Sequence, residues 1–428
     1  MRTKPFLLLL FFSCTLLAQQ TATVSVMDLY QQAVNAKKDQ NYSQYLQVAQ
    51  QLSDLAPSHP GIVFMLSEAQ ILNNDLKSAK KNLLRAANLG ISVEPEKLTS
   101  FQKIDESPEY RKAVEVFQKN KEVFGKSEIA FKIPQKDLIA EGITYDPVSR
   151  SFFVGSLYCR KIVEVDASGN ARDFISEKQD GIWSVLGMKV DSKRRILWAN
   201  NANSEDDMLM KDPEHETVGQ TAIHKYDLNT KKLIKKYVLA IKGERHFFND
   251  LAITKAGDVY ITDSNAGSIY RILSSQDKLE EFVKSPGMTY PNGIALSADD
   301  SHLYVAHLAG ISVIDLNSKE VKPISAPENV ATSSIDGMVP YGNSLIVNQG
   351  LTGVERVARF YLSSDPGRIE KMELLQVNHP VFVIPTTGVV AEDSFYFIAN
   401  SQLGSFDENK KIFSEDKLQE TIILKIKL

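Results

Sequence analysis

The stretch from residue 291 to residue 316, PNGIALSADDSHLYVAHLAGISVIDL, decides the fold of this chain. It contains three short strand-like runs, Gly293–Leu296, His302–His307 and Ile311–Leu316, separated by the polar turns SADD and LAG. Short runs of β-branched and aromatic residues bounded by Gly, Asn, Asp and Ser are typical of antiparallel hairpins. A sheet this small is at best marginally stable alone, so the fold depends on whether the chain repeats the unit.

The chain does repeat this unit, six times between residue 141 and the C-terminus. The turn residue at the start of each unit is Gly142, Gly187, Asp250, Gly293, Gly337 or Gly388, at successive spacings of 45, 63, 43, 44 and 51. Such units of three or four strands are typical of propeller blades, and a β-sandwich would not account for six units of the same internal order. The sequence therefore predicts a mainly β protein with a six-bladed β-propeller over residues 127–428. The one long spacing falls at Asn200–Thr221, which predicts a loop on one face.

A closed ring needs its last blade joined to its beginning. The run Ile129–Ile133 (IAFKI) lies ahead of the first blade, and both it and the C-terminal run Thr421–Leu428 alternate apolar and polar residues. We expect these two runs to be neighbouring strands of the sixth blade, because that pairing removes a free sheet edge.

Residues 24–122 have a helical pattern instead. Apolar residues recur at spacings of three and four over Tyr42–Leu55, Gly61–Leu72 and Leu76–Ala87. The 34 residues from Tyr42 to Leu76 match the period of tetratricopeptide helix hairpins, which this region resembles. Two repeats are few for an independent solenoid, so we expect a small all-α domain that leans on a neighbour or on a protein partner.

Residues 1–18 have the pattern of a bacterial secretory signal peptide. Arg2 and Lys4 precede an apolar core, Phe6–Ala18, that is too short for a comfortable membrane span. The sequence therefore predicts a periplasmic or secreted protein with no membrane span in the mature chain. A membrane anchor and a lipoprotein signal that uses Cys14 are the alternatives. After removal of the signal Cys159 is the one cysteine, so stability depends on core packing and not on a disulfide.

The charge pattern argues against a nucleic-acid partner. The 428 residues have a formal net charge of −4, and Lys and Arg are scattered among Asp and Glu. Nucleic-acid-binding domains carry a basic patch or stripe, and this chain has neither.

Polar residues precede most of the predicted inner strands. In a propeller all inner strands start at the same end of the central channel, where this chain has Glu141, Leu186, Asn249, Asn292, Asp336 and Thr387. Carboxylate and amide oxygens are preferred by hard cations such as Ca²⁺, and the Cys and His clusters that suit zinc are missing. The alternative is that each polar residue only caps a turn. Two buried carboxylates near one axis would repel each other, and a bound cation relieves that repulsion.

In this order and spacing, Glu141-Gly142, Asn249-Asp250, Pro291-Asn292-Gly293 and Asp336-Gly337 resemble the gluconolactonase/regucalcin family of six-bladed propellers. Diisopropylfluorophosphatase and the paraoxonases are more distant relatives, and the resemblance covers about residues 130–428. It implies that Glu141, Asn292 and Asp336 bind a divalent metal and that Asn249 lies beside metal or substrate. It also implies that Asp336 is the catalytic base or nucleophile.

The substrate-binding residues of that family carry over less well. Leu186 stands where paraoxonases have a His, and Thr387 stands where the phosphatase has one. Phe247 replaces an Arg of the regucalcin-like members, with Arg245 and His246 just before it. We take Arg245 and His246 as candidate substrate-binding residues beside Asn249, with a packed loop histidine as the alternative for His246.

These features together predict an exported, Ca²⁺-dependent hydrolase of lactones or related esters, acting in the propeller channel on a small-molecule substrate. One rival is a non-catalytic scaffold protein of the cell envelope, with a structural Ca²⁺ and a helical domain that binds another protein. A second rival is a different chemistry on the same residues, such as phosphotriester hydrolysis, because one fold can host several reactions.

Overall fold

The computed structural model describes residues 26–204 and 210–428. Within them, five α-helices are followed by 25 β-strands. None of these helices has the length and apolar character that a membrane span requires. The predicted signal peptide at residues 1–18 lies outside the described residues.

The helices closely follow the predicted bounds. They are α1 (Val26–Lys38), α2 (Tyr42–Leu55), α3 (Pro60–Leu72), α4 (Leu76–Asn88) and α5 (Pro108–Asn120). Side-chain caps define four of their starts: Asn41, His59, Asp75 and Ser107 each accept a hydrogen bond from a backbone N–H three residues ahead. Proline occupies the first helical position of α3 and α5, where its missing N–H costs nothing.

The strands form six antiparallel sheets arranged as the blades of a propeller. Two strands precede the first blade, β1 (Phe124–Gly125) and β2 (Glu128–Ile133). Blades one to three comprise β3 (Ala140–Asp146), β4 (Ser151–Ser156), β5 (Lys161–Val165), β6 (Ala171–Ile175); β7 (Ser184–Asp191), β8 (Ile196–Ala202), β9 (Thr221–Asp227), β10 (Leu233–Leu239); and β11 (Phe248–Ile253), β12 (Val259–Asp263), β13 (Ser268–Ile272), β14 (Leu279–Lys284). Blades four to six comprise β15 (Ile294–Leu296), β16 (His302–His307), β17 (Gly310–Asp315), β18 (Val321–Pro323); β19 (Ile335–Pro340), β20 (Ser344–Leu351), β21 (Val354–Leu362), β22 (Ile369–Val377); and β23 (Gly388–Ala391), β24 (Ser394–Ile398), β25 (Thr421–Lys427). The six-bladed architecture predicted from the repeats is confirmed.

The ring closes as predicted from its two ends. Strand β2 pairs antiparallel with β25, from Glu128 opposite Lys425 to Ile133 opposite Thr421. The sixth blade therefore has the order β2-β25-β24-β23, with its outer strand supplied from the beginning of the propeller. The short strand β1 pairs with β22 and extends blade five by one further strand.

Apolar clusters between neighbouring blades form the core of the propeller. Between blades one and two, for example, Phe153 and Phe174 pack with Met188, Leu197 and Tyr226. Each large apolar side chain that is fully buried contributes about 1.5–3 kcal/mol to folding. This packing holds the inner strands in place and so fixes the residues that face the channel.

The helices pack against one sector of the propeller. A core of α3, α4 and α5 includes Leu351, Val354 and Val377 of blade five, in agreement with the expectation that this domain leans on a neighbour. The Ser58 and Thr332 hydroxyls lie 2.7 Å apart, and Asn378 donates to the carbonyl of Asn120 at 3.0 Å. The propeller residues involved belong to the end at which the inner strands begin. The helices therefore cover part of the face that carries the candidate site.

Candidate active site

The predicted site residues lie in or beside irregularities of the inner strands. In four blades, the register between the inner strand and the second strand shifts by one residue. The shifts occur between Ala140 and Ile143, between Val185 and Met188, between Phe248 and Leu251, and between Ile335 and Met338. Such a β-bulge places two residues opposite one and re-aims a side chain. Glu141, Asn249 and Asp336 lie within these bulges, because the inner strands begin earlier than the sequence indicated. Asn292 precedes its strand as expected.

Close backbone contacts bring the six strand starts into one ring. A Cβ atom on Gly187 would lie 2.7 Å from the carbonyl oxygen of Asn249, and one on Gly293 would lie 2.5 Å from that of Asp336. Gly142 likewise contacts the carbonyl of Leu186, and the Thr387 hydroxyl donates to the carbonyl of Glu141 and closes the ring. These glycines are needed because real Cβ atoms do not approach other atoms so closely.

The ring brings together the three predicted metal ligands. Asn292 Nδ2 donates to Asp336 Oδ1 at 3.0 Å. Burial raises the pKa of the Glu141 carboxyl well above its ordinary value, and the charges of Asp336 and Asp250 raise it further. Burial also raises the pKa of Asp336 to about 6, against the hydrogen bond from Asn292, which lowers it. Desolvation and repulsion by neighbouring carboxylates therefore disfavour the ionised forms of both carboxyls in the absence of a cation.

Two oxygen atoms of this set lack hydrogen-bond partners. Glu141 Oε2 and Asn292 Oδ1 are both buried and accept no hydrogen bond from the described residues. The adjoining second strands add the carboxamide of Asn200 and the Oδ1 atom of Asn348 to the unpartnered buried groups. Leaving one such group unsatisfied costs about 1–3 kcal/mol, which indicates that the protein retains them to bind something.

The chemistry of these atoms fits a hard divalent cation. The surrounding charges are the carboxylates of Glu141, Asp250 and Asp336 and one ammonium group, Lys189, whose Nζ lies 3.4 Å from Asp250 Oδ1. A divalent cation would neutralise the excess of negative charge. Residues 26–204 and 210–428 contain no cluster of three or more Cys, His, Asp or Glu side chains placed to hold a metal. The candidate set instead combines two carboxylates with an amide, all oxygen donors of the kind that Ca²⁺ prefers.

Asn249 is part of the same ring. Its side chain is buried, and Nδ2 donates to Ser264 Oγ at 3.1 Å. Ser264 Oγ in turn donates to the carbonyl of Pro291 at 2.6 Å, next to Asn292. The Asn249 carboxamide is therefore held in a fixed orientation by Ser264 of its own blade, which is itself anchored to the start of blade four.

His246 and Arg245 are not brought into the ring. The His246 side chain is 1% exposed, and its Nδ1 lies 2.6 Å from Asp263 Oδ2, a hydrogen bond that raises the pKa of His246. Asp263 also accepts from the backbone N–H of Phe247 at 2.9 Å. This burial agrees with the alternative of a packed loop histidine. Arg245 is exposed, with its stem beside Gly219. Substrate binding by these two residues stays a prediction.

The insertion between the second and third strands of blade two, β8 and β9, is a loop on one face, as predicted. Its second half is held by Glu214, which pairs with the buried Arg160 and accepts from Trp183 Nε1 at 3.0 Å. The backbone N–H of His246 donates to the carbonyl of Gly219 at the end of the same loop. The loop is thus tied to blades one, two and three at the end where the site residues lie.

Lys189, Asn200 and Asn348 were missed by reasoning from sequence alone. Lys189 lies two residues after Gly187, and its charge within an apolar inner strand was the available signal. Asn200 and Asn348 lie near the ends of the second strands of blades two and five. Recognising them requires knowing that the second strand also reaches the site.

Fold and site together define a six-bladed β-propeller with an acidic, oxygen-rich site at the starts of its inner strands. The family model described as SMP-30/Gluconolactonase/LRE-like region matches residues 139–340. Residues 139–340 are therefore a gluconolactonase-like region, and the resemblance predicted from the sequence is confirmed there. The match covers just under half of the chain and includes Glu141, Asn249, Asn292 and Asp336. No curated protein matches the chain.

Several solved structures are similar to the propeller. A gluconolactonase from Xanthomonas campestris has 16% identity and a TM-score of 0.47, covering 71% of this chain and 91% of its own. A luciferin-regenerating enzyme has 12% identity and a TM-score of 0.49, covering 71% and 96%. A virginiamycin B lyase from Staphylococcus aureus has 15% identity and a TM-score of 0.46, covering 72% and 100%.

Proposed function

We propose that this protein is a divalent-cation-dependent hydrolase of lactones or related esters, with Ca²⁺ as the cation and the active site in the propeller channel. The gluconolactonase-like region supports a hydrolase of this class. The observation that carries the proposal is the pair of unpartnered buried oxygens, Glu141 Oε2 and Asn292 Oδ1, beside the Asp336 carboxylate.

Each residue of the ring has a role in this proposal. Glu141, Asn292 and Asp336 would hold the cation, which when bound supplies Lewis acidity toward the substrate carbonyl. Asp336 would take the proton of the attacking water or attack the carbonyl itself, and its hydrogen bond from Asn292 fixes its orientation. Asn249, held by Ser264, would orient the substrate.

A panel of lactones, aryl esters and phosphotriesters tests this proposal. Each substrate is assayed with chelator-treated protein and again after Ca²⁺ is restored. We expect hydrolysis of at least one lactone or ester that requires the cation. Saturable cation binding with no turnover of any substrate would favour the non-catalytic scaffold, and turnover of phosphotriesters alone would favour the other chemistry.

The proposal also includes export to the periplasm or the medium, which depends on the sequence pattern of residues 1–18. We expect a mature chain that begins near Gln19, as N-terminal sequencing of the native protein would show. Recovery of full-length protein from the cytoplasm with an intact N-terminus would contradict export.

A protein partner for the helical region is also part of the proposal, because tetratricopeptide-like hairpins are protein-binding elements.

A further inference from the structure

A cavity lies at the seam between the helices and the outer strands of blade five. Its volume is about 210 Å³. Gly90, Lys119 and Asn120 line it from the helical side, and Val354, Arg356 and Val377 line it from the propeller. The exposed residues Val123 and Phe124 form its rim, in the segment that joins the two parts.

Arg356 is the charged side chain buried in this cavity wall. It is 3% exposed, and its Nε donates to Gln349 Oε1 at 2.8 Å. The Gln349 carboxamide is fixed in turn, since its Nε2 donates to the carbonyls of Ala331 and Ser333 at 3.0 and 2.8 Å. The guanidinium is therefore held in one orientation by a satisfied and buried partner.

The end of the guanidinium is less well satisfied. Arg356 Nη1 lies against the backbone of Gly90, which lines the same cavity and has a φ of +104°. Nη2 is buried and has no hydrogen-bond partner among the described residues. Burial lowers the pKa of Arg356 to about 10, so the group is still protonated at neutral pH.

A buried guanidinium without a counter-ion is costly, and an anion relieves the cost. Removing a charge from water is tolerated in proteins when the charge is paired and hydrogen-bonded. Arg presents a planar fork of donors that matches a carboxylate or a phosphate. Lys119 and Glu122, which also line the cavity, have opposite charges, so the lining has one excess positive charge, that of Arg356. This single charge and the apolar Val354, Leu374 and Val377 favour a singly charged anion over a multiply charged one.

We propose that this cavity binds a small monocarboxylate with a short apolar chain. The carboxylate accepts hydrogen bonds from Arg356, and the chain lies against Val354, Val377 and Phe124. At ~30 Å³ for each water-sized group, the cavity holds on the order of seven non-hydrogen atoms, the size of pentanoate. Because the lining comes from both parts of the chain, the bound carboxylate fastens the helices to blade five.

Calorimetric titration of pentanoate into the full chain tests this proposal. The titration is done in chelator, so that a cation in the channel contributes nothing. We expect saturable binding by the wild type, and at least tenfold weaker binding of pentanamide, which has the same shape without the charge. Arg356→Gln should lose at least tenfold in affinity for pentanoate, in line with a charge-assisted hydrogen bond. The matched control, Arg359→Gln on the same strand, should bind as the wild type does.

Phe124→Ser gives a second test that leaves the buried Arg356 intact. It should weaken pentanoate binding and leave acetate binding unchanged, because acetate lacks the chain that contacts the rim. Equal binding of pentanoate and pentanamide, or no binding of pentanoate by the wild type, would overturn the proposal. Tighter binding of inorganic phosphate than of pentanoate would overturn the assignment to a monocarboxylate. Circular dichroism of each variant confirms that it is folded.

Discussion

The propeller channel and the seam beneath the helices both bury polar atoms that lack partners, but they differ in origin. In the channel, residues from four different blades converge because the repeated fold places equivalent positions on one axis. At the seam, one arginine meets a glycine from a different part of the chain. The channel residues therefore recur at regular positions in the sequence, whereas no sequence pattern indicates the contact at the seam.

The buried pair His246 and Asp263 provides a contrast with both sites. His246 and Asp263 are both buried, yet Asp263 is saturated by His246 Nδ1 and by backbone N–H groups. Its charge has a structural use within the loop. A buried charge alone therefore does not mark a binding site. The channel and the seam differ from Asp263 in that their charged groups, Glu141 and Arg356, keep buried atoms without hydrogen-bond partners among the described residues.

The largest expected effect is on catalysis. Asp336→Asn should reduce lactone or ester hydrolysis by about 10²–10⁴-fold, because it removes the group that accepts the proton and replaces a charged cation ligand with a neutral one. The melting temperature should stay close to that of the wild type. Initial-rate assays measure the effect, and Asp393→Asn, an exposed residue, is the control that should keep full activity. Full activity of Asp336→Asn would show that Asp336 does not take part in catalysis.

The next effect is on the response to cation. Adding Ca²⁺ at 100 times its dissociation constant should stabilise the wild type by about 2.7 kcal/mol, because the cation binds the folded state alone. Glu141→Gln should abolish this response, while Glu392→Gln, at an exposed ion pair 3.1 Å from Arg150, should preserve it. Thermal unfolding in chelator and in Ca²⁺ provides the measurement. Equal responses in both variants would place the cation elsewhere.

A smaller effect tests the close contacts of the ring. Gly337→Ala should destabilise the protein by about 1–3 kcal/mol, because its Cβ would lie 2.7 Å from Thr387 Cα. Gly350→Ala in the same blade is the matched control, since its Cβ would meet nothing within 4 Å. Urea unfolding gives both free energies. A neutral Gly337→Ala would show that the strand starts are not packed tightly.

The smallest effect is on the pH dependence of stability and concerns His307, a buried histidine whose neutral ring is hydrogen-bonded. Burial lowers the pKa of His307 to about 4, and its Nε2 lies 2.9 Å from Ser312 Oγ. The unfolded chain binds this proton first, so stability falls as the pH decreases from about 6.5 toward 4. The slope for one proton is about 1.4 kcal/mol per pH unit, and His307→Gln should reduce the slope by that amount. Urea unfolding between pH 7 and pH 5 measures it, and an unchanged slope would contradict the assignment.

Much of the fold could be predicted because its signals are local. Asn41, Asp75 and Ser107 cap helices within a few residues of themselves, and the repeated turn pairs define the blades. The pairing of β2 with β25 could also be predicted, since a closed ring needs its last blade joined to its beginning and this pairing covers a sheet edge.

The rest of the site depends on contacts that no local pattern encodes. Placing Glu141 within a bulge requires knowing how β3 pairs with β4. Lys189 matters because Asp250, 61 residues later, accepts its hydrogen bond. Arg356 is unusual because Gly90 packs on it and its Nη2 has no hydrogen-bond partner within residues 26–204 and 210–428. The burial of His246 likewise depends on Asp263, in the following strand of the blade.

The most direct test of the central claim is a crystal structure of the protein grown in Ca²⁺, with anomalous scattering to identify the ion. We expect one anomalous peak in the channel, about 2.3–2.6 Å from Glu141 Oε2, Asn292 Oδ1 and an Asp336 carboxylate oxygen. The peak should be absent from crystals of Glu141→Gln grown in the same solution. An ordered channel with no peak, or a peak that does not contact Glu141 and Asn292, would contradict the account.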